Sequence, residues 1–166
     1  MTSYNIKLTL PKPSLILKVI RLLPIILVIP LFKKIVLNKL NRKNGVNIKP
    51  GFYCVVGANI SCGNNVNLND TKIIDYGKVI IGDNVKFSGD NLILTSNHDI
   101  KDFNIVNIEN VEIESNVWIT YRCIILPGVK IGENSIIGAG SVVTKNIPAN
   151  VIAAGNPCRV IKEIEK

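Results

Sequence analysis

The chain has 166 residues, 47% of them hydrophobic and 5% aromatic, and a formal net charge of +8. That length suits one domain, or one domain with an extension, whose core is filled with Ile and Val rather than rings. Four cysteines form no C-x-x-C pair and there is one histidine, so a zinc cage lacks ligands and a reducing compartment is expected. The charge is unevenly placed: residues 1–50 hold ten Lys or Arg and no acid, whereas 51–166 hold ten Lys or Arg and twelve acids. The body is slightly acidic, which argues against a broad nucleic-acid-binding face there.

In chain order, residues 1–13, with Pro11 and Pro13, read as irregular. Residues 14–45 form an apolar basic segment expected to be helical. Its longest uncharged run, residues 22–32, is eleven residues long and contains Pro24 and Pro30. A spanning helix needs about 20 apolar residues, and no small-residue cleavage site marks a secretory leader. The segment either caps the open end of the body or lies in a membrane interface, its cations at anionic headgroups. The absence of acid favours the second. Turn pairs at Asn44-Gly45 and Pro50-Gly51 close it, which divides the chain into 1–50 and 51–166.

From Val56 a period of six takes over, with VGANIS and CGNNVN leading to Leu68. Ile81 follows Val56 by 25 residues rather than 24, so residues 70–78 are expected to hold one extra residue or a turn. The pattern resumes at Ile81 and Phe87 and fails between about residues 95 and 110, TSNHDIKDFNIVNIEN. A polar interruption of this kind predicts one projecting loop, and it carries the only histidine, His98.

The period is cleanest over 113–148. Ile113, Ile119, Ile125, Ile131, Ile137 and Val143 open successive blocks, and Val117, Cys123, Val129, Ser135, Ser141 and Ile147 stand four places on. Neither the 3.6-residue helical period nor strand alternation explains this. A hexapeptide period is that of a parallel β-helix, in which three blocks make one triangular coil. About five coils fit between Val56 and Pro148. Cys62 and Cys123 fall inward, where a thiol acts as a small hydrophobe. After 148 the pattern relaxes through Gly155-Asn156-Pro157 into a final short strand or helix.

Two features carry chemistry. Imidazole changes charge near neutral pH, so His98 suits general acid–base work. The run Gly138-Ala139-Gly140-Ser141 offers a surface with almost no side chains, along which a long thin ligand can pair with the main chain.

The stretches NVWI (116–119), LPGVKIGENSIIGAGSVVTKNIPAN (126–150) and AAGNPCRVI (153–161) resemble the hexapeptide-repeat acyltransferases, most of all the galactoside, maltose and capsule-sugar O-acetyltransferases. The resemblance covers about residues 56–161. It implies a mainly β fold, a left-handed parallel β-helix, assembled as a homotrimer with acetyl-CoA in a groove between neighbouring copies and no metal. It assigns His98 as general base and places Trp118 beside the thioester and the acceptor. Ala139 and Thr144 then contact the pantetheine arm, and Lys145 and Arg159 the phosphates of CoA. A backbone N–H at Tyr121 would face the developing oxyanion. Asn67 and Asp75 would contact a saccharide acceptor, provided the register slip lies between Asp75 and Gly82. The sequence departs from the family pattern where NVWIG becomes NVWIT followed by Tyr121-Arg122, and where the basic apolar segment replaces a small N-terminal cap domain.

The function this implies is direct acetyl transfer from acetyl-CoA to a sugar hydroxyl in cell-envelope polysaccharide modification. The expected place is the cytoplasm, at the inner face of the membrane. The alternative keeps the donor and changes the acceptor to a sugar-nucleotide amine, serine or an antibiotic. A carbonic anhydrase of the same fold would need three histidines, and an ice-binding solenoid a flat threonine face; neither is present.

Overall fold

The computed structural model describes residues 2–5 and 45–165. The predicted basic helical segment, residues 14–45, therefore lies almost wholly outside the described residues. Within them the chain winds a three-faced prism of parallel strands, one strand per face per turn. Face one stacks Asn47–Ile48, Asn67–Asn69, Lys86–Gly89, Trp118–Tyr121, Ile136–Ile137 and Val151–Ala154. Face two stacks Tyr53–Cys54, Lys72–Ile74, Leu92–Leu94, Ile124–Ile125 and Val142–Val143. Face three stacks Ile60–Cys62, Val79–Ile81, Val111–Ile113 and Lys130–Ile131, and Ile147 adds one more parallel bridge. Among the described residues there is no helix, and none is long and apolar enough to cross a membrane.

The sixfold period folds this way because each block buries one aliphatic side chain in the prism. Ile48, Leu68, Phe87, Ile119, Ile137 and Ala153 line the inside of face one, and Cys54, Ile73, Ile93, Ile125 and Val143 that of face two. Cys62, Ile81, Ile113, Ile131 and Ile147 line face three. Stacked strands lie about 4.8 Å apart, so every inward residue meets its equivalents directly above and below. The modest residues four places on, from Val117 to Ile147, are buried as well. All four cysteines are free and buried.

The stack starts earlier than the repeat suggested. Its first strand is Asn47–Ile48, and Val56 stands off the core while Cys54 fills it. The single extra residue is a net effect: Leu68 to Ile73 is one residue short, and Ile73 to Ile81 is two long.

Corners repeat too. Asn65, Asn84, Asn116, Asn134 and Asn150, each with φ between 54° and 60°, turn the chain from face three to face one. Each of the first four donates its amide N–H to the carbonyl oxygen of the next, at 2.9–3.1 Å. Asparagine tolerates the left-handed conformation better than most residues, and the ladder adds a partner for each amide. The corner from face one to face two uses Gly51, Asp90, Arg122 and Gly140 at positive φ. Arg122 carries a Cβ where glycine is easier; its guanidinium pairs with Asp90 at 3.1 Å and lies 5.3 Å from the Tyr121 ring centre.

The polar interruption and the N-terminus depart from the expected outline. The loop over 95–110 is an antiparallel hairpin, Ser96–His98 against Ile105–Ile108, and Thr2–Asn5 adds a third strand on its outer side. Residues 2–5 are thus not irregular. At the other end the expected short strand forms: Arg159–Glu163 folds back antiparallel on Val151–Ala154 and covers the last coil of face one.

Candidate active site

The hairpin replaces the corner between faces two and three in the third coil. Thr95, fully buried, anchors it: its hydroxyl donates to the Ile74 carbonyl at 2.7 Å and accepts from the Gly77 N–H at 2.9 Å. The Thr95 carbonyl then accepts from Glu109 N–H at 2.9 Å and closes the base. At the tip, the Asp99 carboxylate accepts from the amides of Lys101 and Asp102, which holds its pKa below the usual aspartate range. Asp102 in turn accepts from the backbone and side chain of Asn104. These turns present the Phe103 carbonyl to His98 Nδ1 at 2.7 Å.

A carbonyl oxygen only accepts, so the neutral ring carries its proton on Nδ1 and leaves Nε2 as an acceptor. His98 is exposed. The arrangement fixes the orientation of the imidazole and leaves Nε2 free to face an acceptor hydroxyl.

Tyr121 and Ala139 share the corner between faces one and two. The Gly140 amide donates to the Tyr121 carbonyl at 2.8 Å, so one residue's corner sits directly over the other's. The next layer of that corner runs through Gly155 to Arg159, with Val142 N–H donating to Gly155 O at 3.0 Å. The edge is open at its Gly140 layer, where an added Cβ would meet nothing within 4 Å, while the neighbouring layer carries the exposed side chains of Tyr121 and Arg122. Thr144 and Lys145 are exposed at the far side of face two, just past Val142–Val143. Between these edges the outer side of face two shows half-buried Leu92, Leu94, Ile124, Leu126 and Val142. The structure thus gathers Tyr121, Ala139, Thr144, Lys145 and Arg159 around the C-terminal half of one apolar face. An apolar strip with cations at its end suits a pantetheine arm and a phosphate-bearing tail.

Trp118 and Asn67 lie elsewhere, in one outward column of face one with Lys86 between them. Trp118 is 47% exposed, and its indole N–H donates to Ser88 Oγ at 3.0 Å. With Lys86, Ile136, Ile164 and the asparagine ladder it lines an open groove of about 540 Å³. Asn67 Oδ1 is shielded from solvent and has no hydrogen-bond partner among the described residues. Asp75 is fully buried in the corner between faces two and three. It accepts from the amides of Val55, Val56 and Gly57 at 2.7–3.0 Å, so one chain presents no Asp75 oxygen to solvent. Burial outweighs those bonds and raises its pKa.

No thiol is poised as a nucleophile. Burial pushes Cys62 up to about 12 and raises Cys123 and Cys158, and the Cys123 thiol points at the Gly138 carbonyl, 3.3 Å away. Among the described residues no three His, Cys, Asp or Glu side chains converge on a metal position. The residues that sequence reasoning missed are Thr95, Asp99, Asp102 and Phe103, which set the ring of His98. The D-x-x-D-F-N spacing of the turn was the available sign.

Residues 110–145 match the family model for bacterial transferase hexapeptide (six repeats). The chain is 46% identical over 121 residues to the galactoside O-acetyltransferase of Escherichia coli (strain K12), a match that covers 69% of this chain and 59% of that protein. It therefore spans less than two thirds of that relative's length. Among solved structures, a maltose O-acetyltransferase from Clostridium difficile 630 superposes with a TM-score of 0.77 at 36% identity, covering 92% of this chain and 90% of the other. A galactoside acetyltransferase in complex with coenzyme A gives 0.78 at 33% identity, covering 92% and 84%. With its stacked hexapeptide coils and these relatives, the chain belongs to the hexapeptide-repeat transferase family.

Proposed function

We propose that this protein is an acetyl-CoA-dependent O-acetyltransferase acting on a saccharide hydroxyl, with His98 as general base. The observation that carries the proposal is the His98 ring, the only imidazole in the chain, whose Nδ1–H is committed to the Phe103 carbonyl so that Nε2 is the accepting nitrogen. The acceptor hydroxyl loses its proton to Nε2 as its oxygen attacks the thioester carbonyl and the new C–O bond forms. The tetrahedral intermediate then collapses with cleavage of the C–S bond, and the imidazolium returns the proton to the departing thiolate. The buried, protonated cysteines favour this direct transfer over a covalent acetyl-enzyme.

Ala139 and Thr144 would line the pantetheine arm, Lys145 and Arg159 would hold the phosphates, and a Tyr121 N–H would face the oxyanion. Relatives that carry coenzyme A or galactoside in their names support the donor and the acceptor class. Trp118 and Asn67 would contact the acceptor, with Asp75 clamping the separate corner between faces two and three from which the His98 hairpin departs. In one chain the His98 hairpin leaves the corner between faces two and three, whereas Trp118 and Asn67 occupy face one. A site assembled between copies in a homotrimer joins these halves. The finer role in envelope polysaccharide synthesis at the inner membrane face rests on the acid-free residues 1–50.

The test is thiol release from acetyl-CoA across free, nucleotide-linked and lipid-linked sugars, with His98→Ala alongside. A loss of about 10²–10⁴-fold in kcat is expected, with folding unchanged; full activity in His98→Ala removes the base. Activity restored by mixing His98→Ala with Trp118→Ala supports a shared site, and equal loss in the mixture counts against it. Recovery of the full-length protein wholly in the soluble fraction of lysed cells would remove the membrane part.

A further inference from the structure

We infer that the N-terminal strand Thr2–Asn5 is a positioning element of the transfer site, which holds the His98 hairpin in its working geometry. This rests on the reading of His98 as the base. The register is specific: Thr2 pairs with Ile108, Ser3 with Asn107, Tyr4 with Val106 and Asn5 with Ile105. On its other side the same central strand pairs Ser96 with Ile108, Asn97 with Asn107 and His98 with Val106. Tyr4, Val106 and His98 therefore form one row of backbone positions across three strands.

The hairpin needs this support. Two-stranded hairpins are marginal in water, and a third strand changes that. Its base has the Thr95 anchor, but its far end reaches beyond the prism, with Ile100 86% and Phe103 74% exposed. The ring of His98 is set by the Phe103 carbonyl, and Phe103 belongs to a turn that hangs from Ile105. Asp99 N–H donates to the Ile105 carbonyl at 3.0 Å, and Ile105 N–H to the Asp102 carbonyl at 2.9 Å. Asn5 pairs at Ile105, the residue from which the turn departs. The N-terminal strand thus fixes the central strand, the central strand fixes the turn, and the turn fixes the tautomer and aim of the base. The donor groove, by contrast, is built on the coils and has no part in this chain of contacts.

The experiment compares the full-length protein with three variants: deletion of residues 2–5, Ser3→Pro/Tyr4→Pro, and Ser3→Ala/Tyr4→Val. Alternate residues of an edge strand donate to the ladder, so the proline pair removes a paired N–H in either phase, while the third variant keeps both. Because the chain has one histidine, its ring nitrogens give an unambiguous nitrogen NMR signal. In the deletion and the proline variant kcat is expected to fall about 10- to 100-fold, the loss that about 1 Å of misplacement brings. KM for acetyl-CoA stays unchanged, and the ring moves from the Nδ1-protonated tautomer to a mixture. The Ala/Val variant keeps wild-type turnover, and a synthetic peptide of residues 1–7 restores the deletion. Unchanged kcat and an unchanged ring signal overturn the inference, as does equal loss in the Ala/Val variant. Amide protection of residues 113–153 serves as the control for folding. A shifted ring signal with unchanged turnover would instead remove His98 as the base, the reading on which the inference rests.

Discussion

The coils over 113–153 and the hairpin over 96–108 are adjacent in sequence and built on opposite logics. In the coils, each inward side chain has equivalents one strand above and below, and each asparagine corner leans on the next. The same instruction is written several times, so no single contact decides the fold. The hairpin has one buried anchor, one turn and one flanking strand, each used once. Stability resides in the repeated part, and the geometry of the proposed base in the part that is not repeated.

The comparison breaks most visibly in the core. Ile125 sits between Ile93 and Val143 inside face two, so Ile125→Ala is expected to cost about 2–4 kcal/mol in urea unfolding. A shift well below 1 kcal/mol would mean that the columns do not act together. Next comes the anchor. Thr95→Val keeps the shape and removes the hydroxyl, leaving the buried Gly77 amide unsatisfied, a cost of about 1–3 kcal/mol. Hydrogen exchange should speed up in residues 105–108 and stay slow in 113–153; equal acceleration in both would show that the two regions open as one. The smallest effect is expected at Lys130, whose ammonium bridges Glu112 at 3.2 Å and Glu114 at 2.7 Å on the exposed side of face three. Solvent screens such pairs, and Lys130→Ala should leave the unfolding midpoint in place. A clear drop would show that the outer face adds to what the inner columns supply.

Much of this division was legible in the residues. The columns follow from a period that no helix or single strand has, and the break near 95 marked where the repeat yields to something else. What stayed hidden has physical reasons. Ser96–His98 is all polar and Ile105–Ile108, Ile-Val-Asn-Ile, is too short to alternate clearly, so hairpin pairing left no pattern. Thr2–Asn5 finds its partner about a hundred residues away, and no local preference encodes a contact of that range. The start of the stack was misplaced because Cys54 is a weak apolar marker, and Val56, the better-looking candidate, faces away. Asp75 looked like a ligand-binding carboxylate, but three backbone amides claim its oxygens first.

The asparagine ladder has a consequence for how such a chain can change length. Across that corner, the inward pairs Cys62 and Leu68, Ile81 and Phe87, Ile113 and Ile119, Ile131 and Ile137, and Ile147 and Ala153 are always six residues apart. Across the corner between faces two and three the step is eight, eight, twenty, six and four residues, from Cys54, Ile73, Ile93, Ile125 and Val143 in turn. One edge of the prism is a ruler, and another absorbs nearly every insertion and deletion. A foreign peptide grafted at Pro127-Gly128 would extend the permissive edge, beside the place where this chain already carries its hairpin. The same peptide at Ser115-Asn116 would cut the ruler.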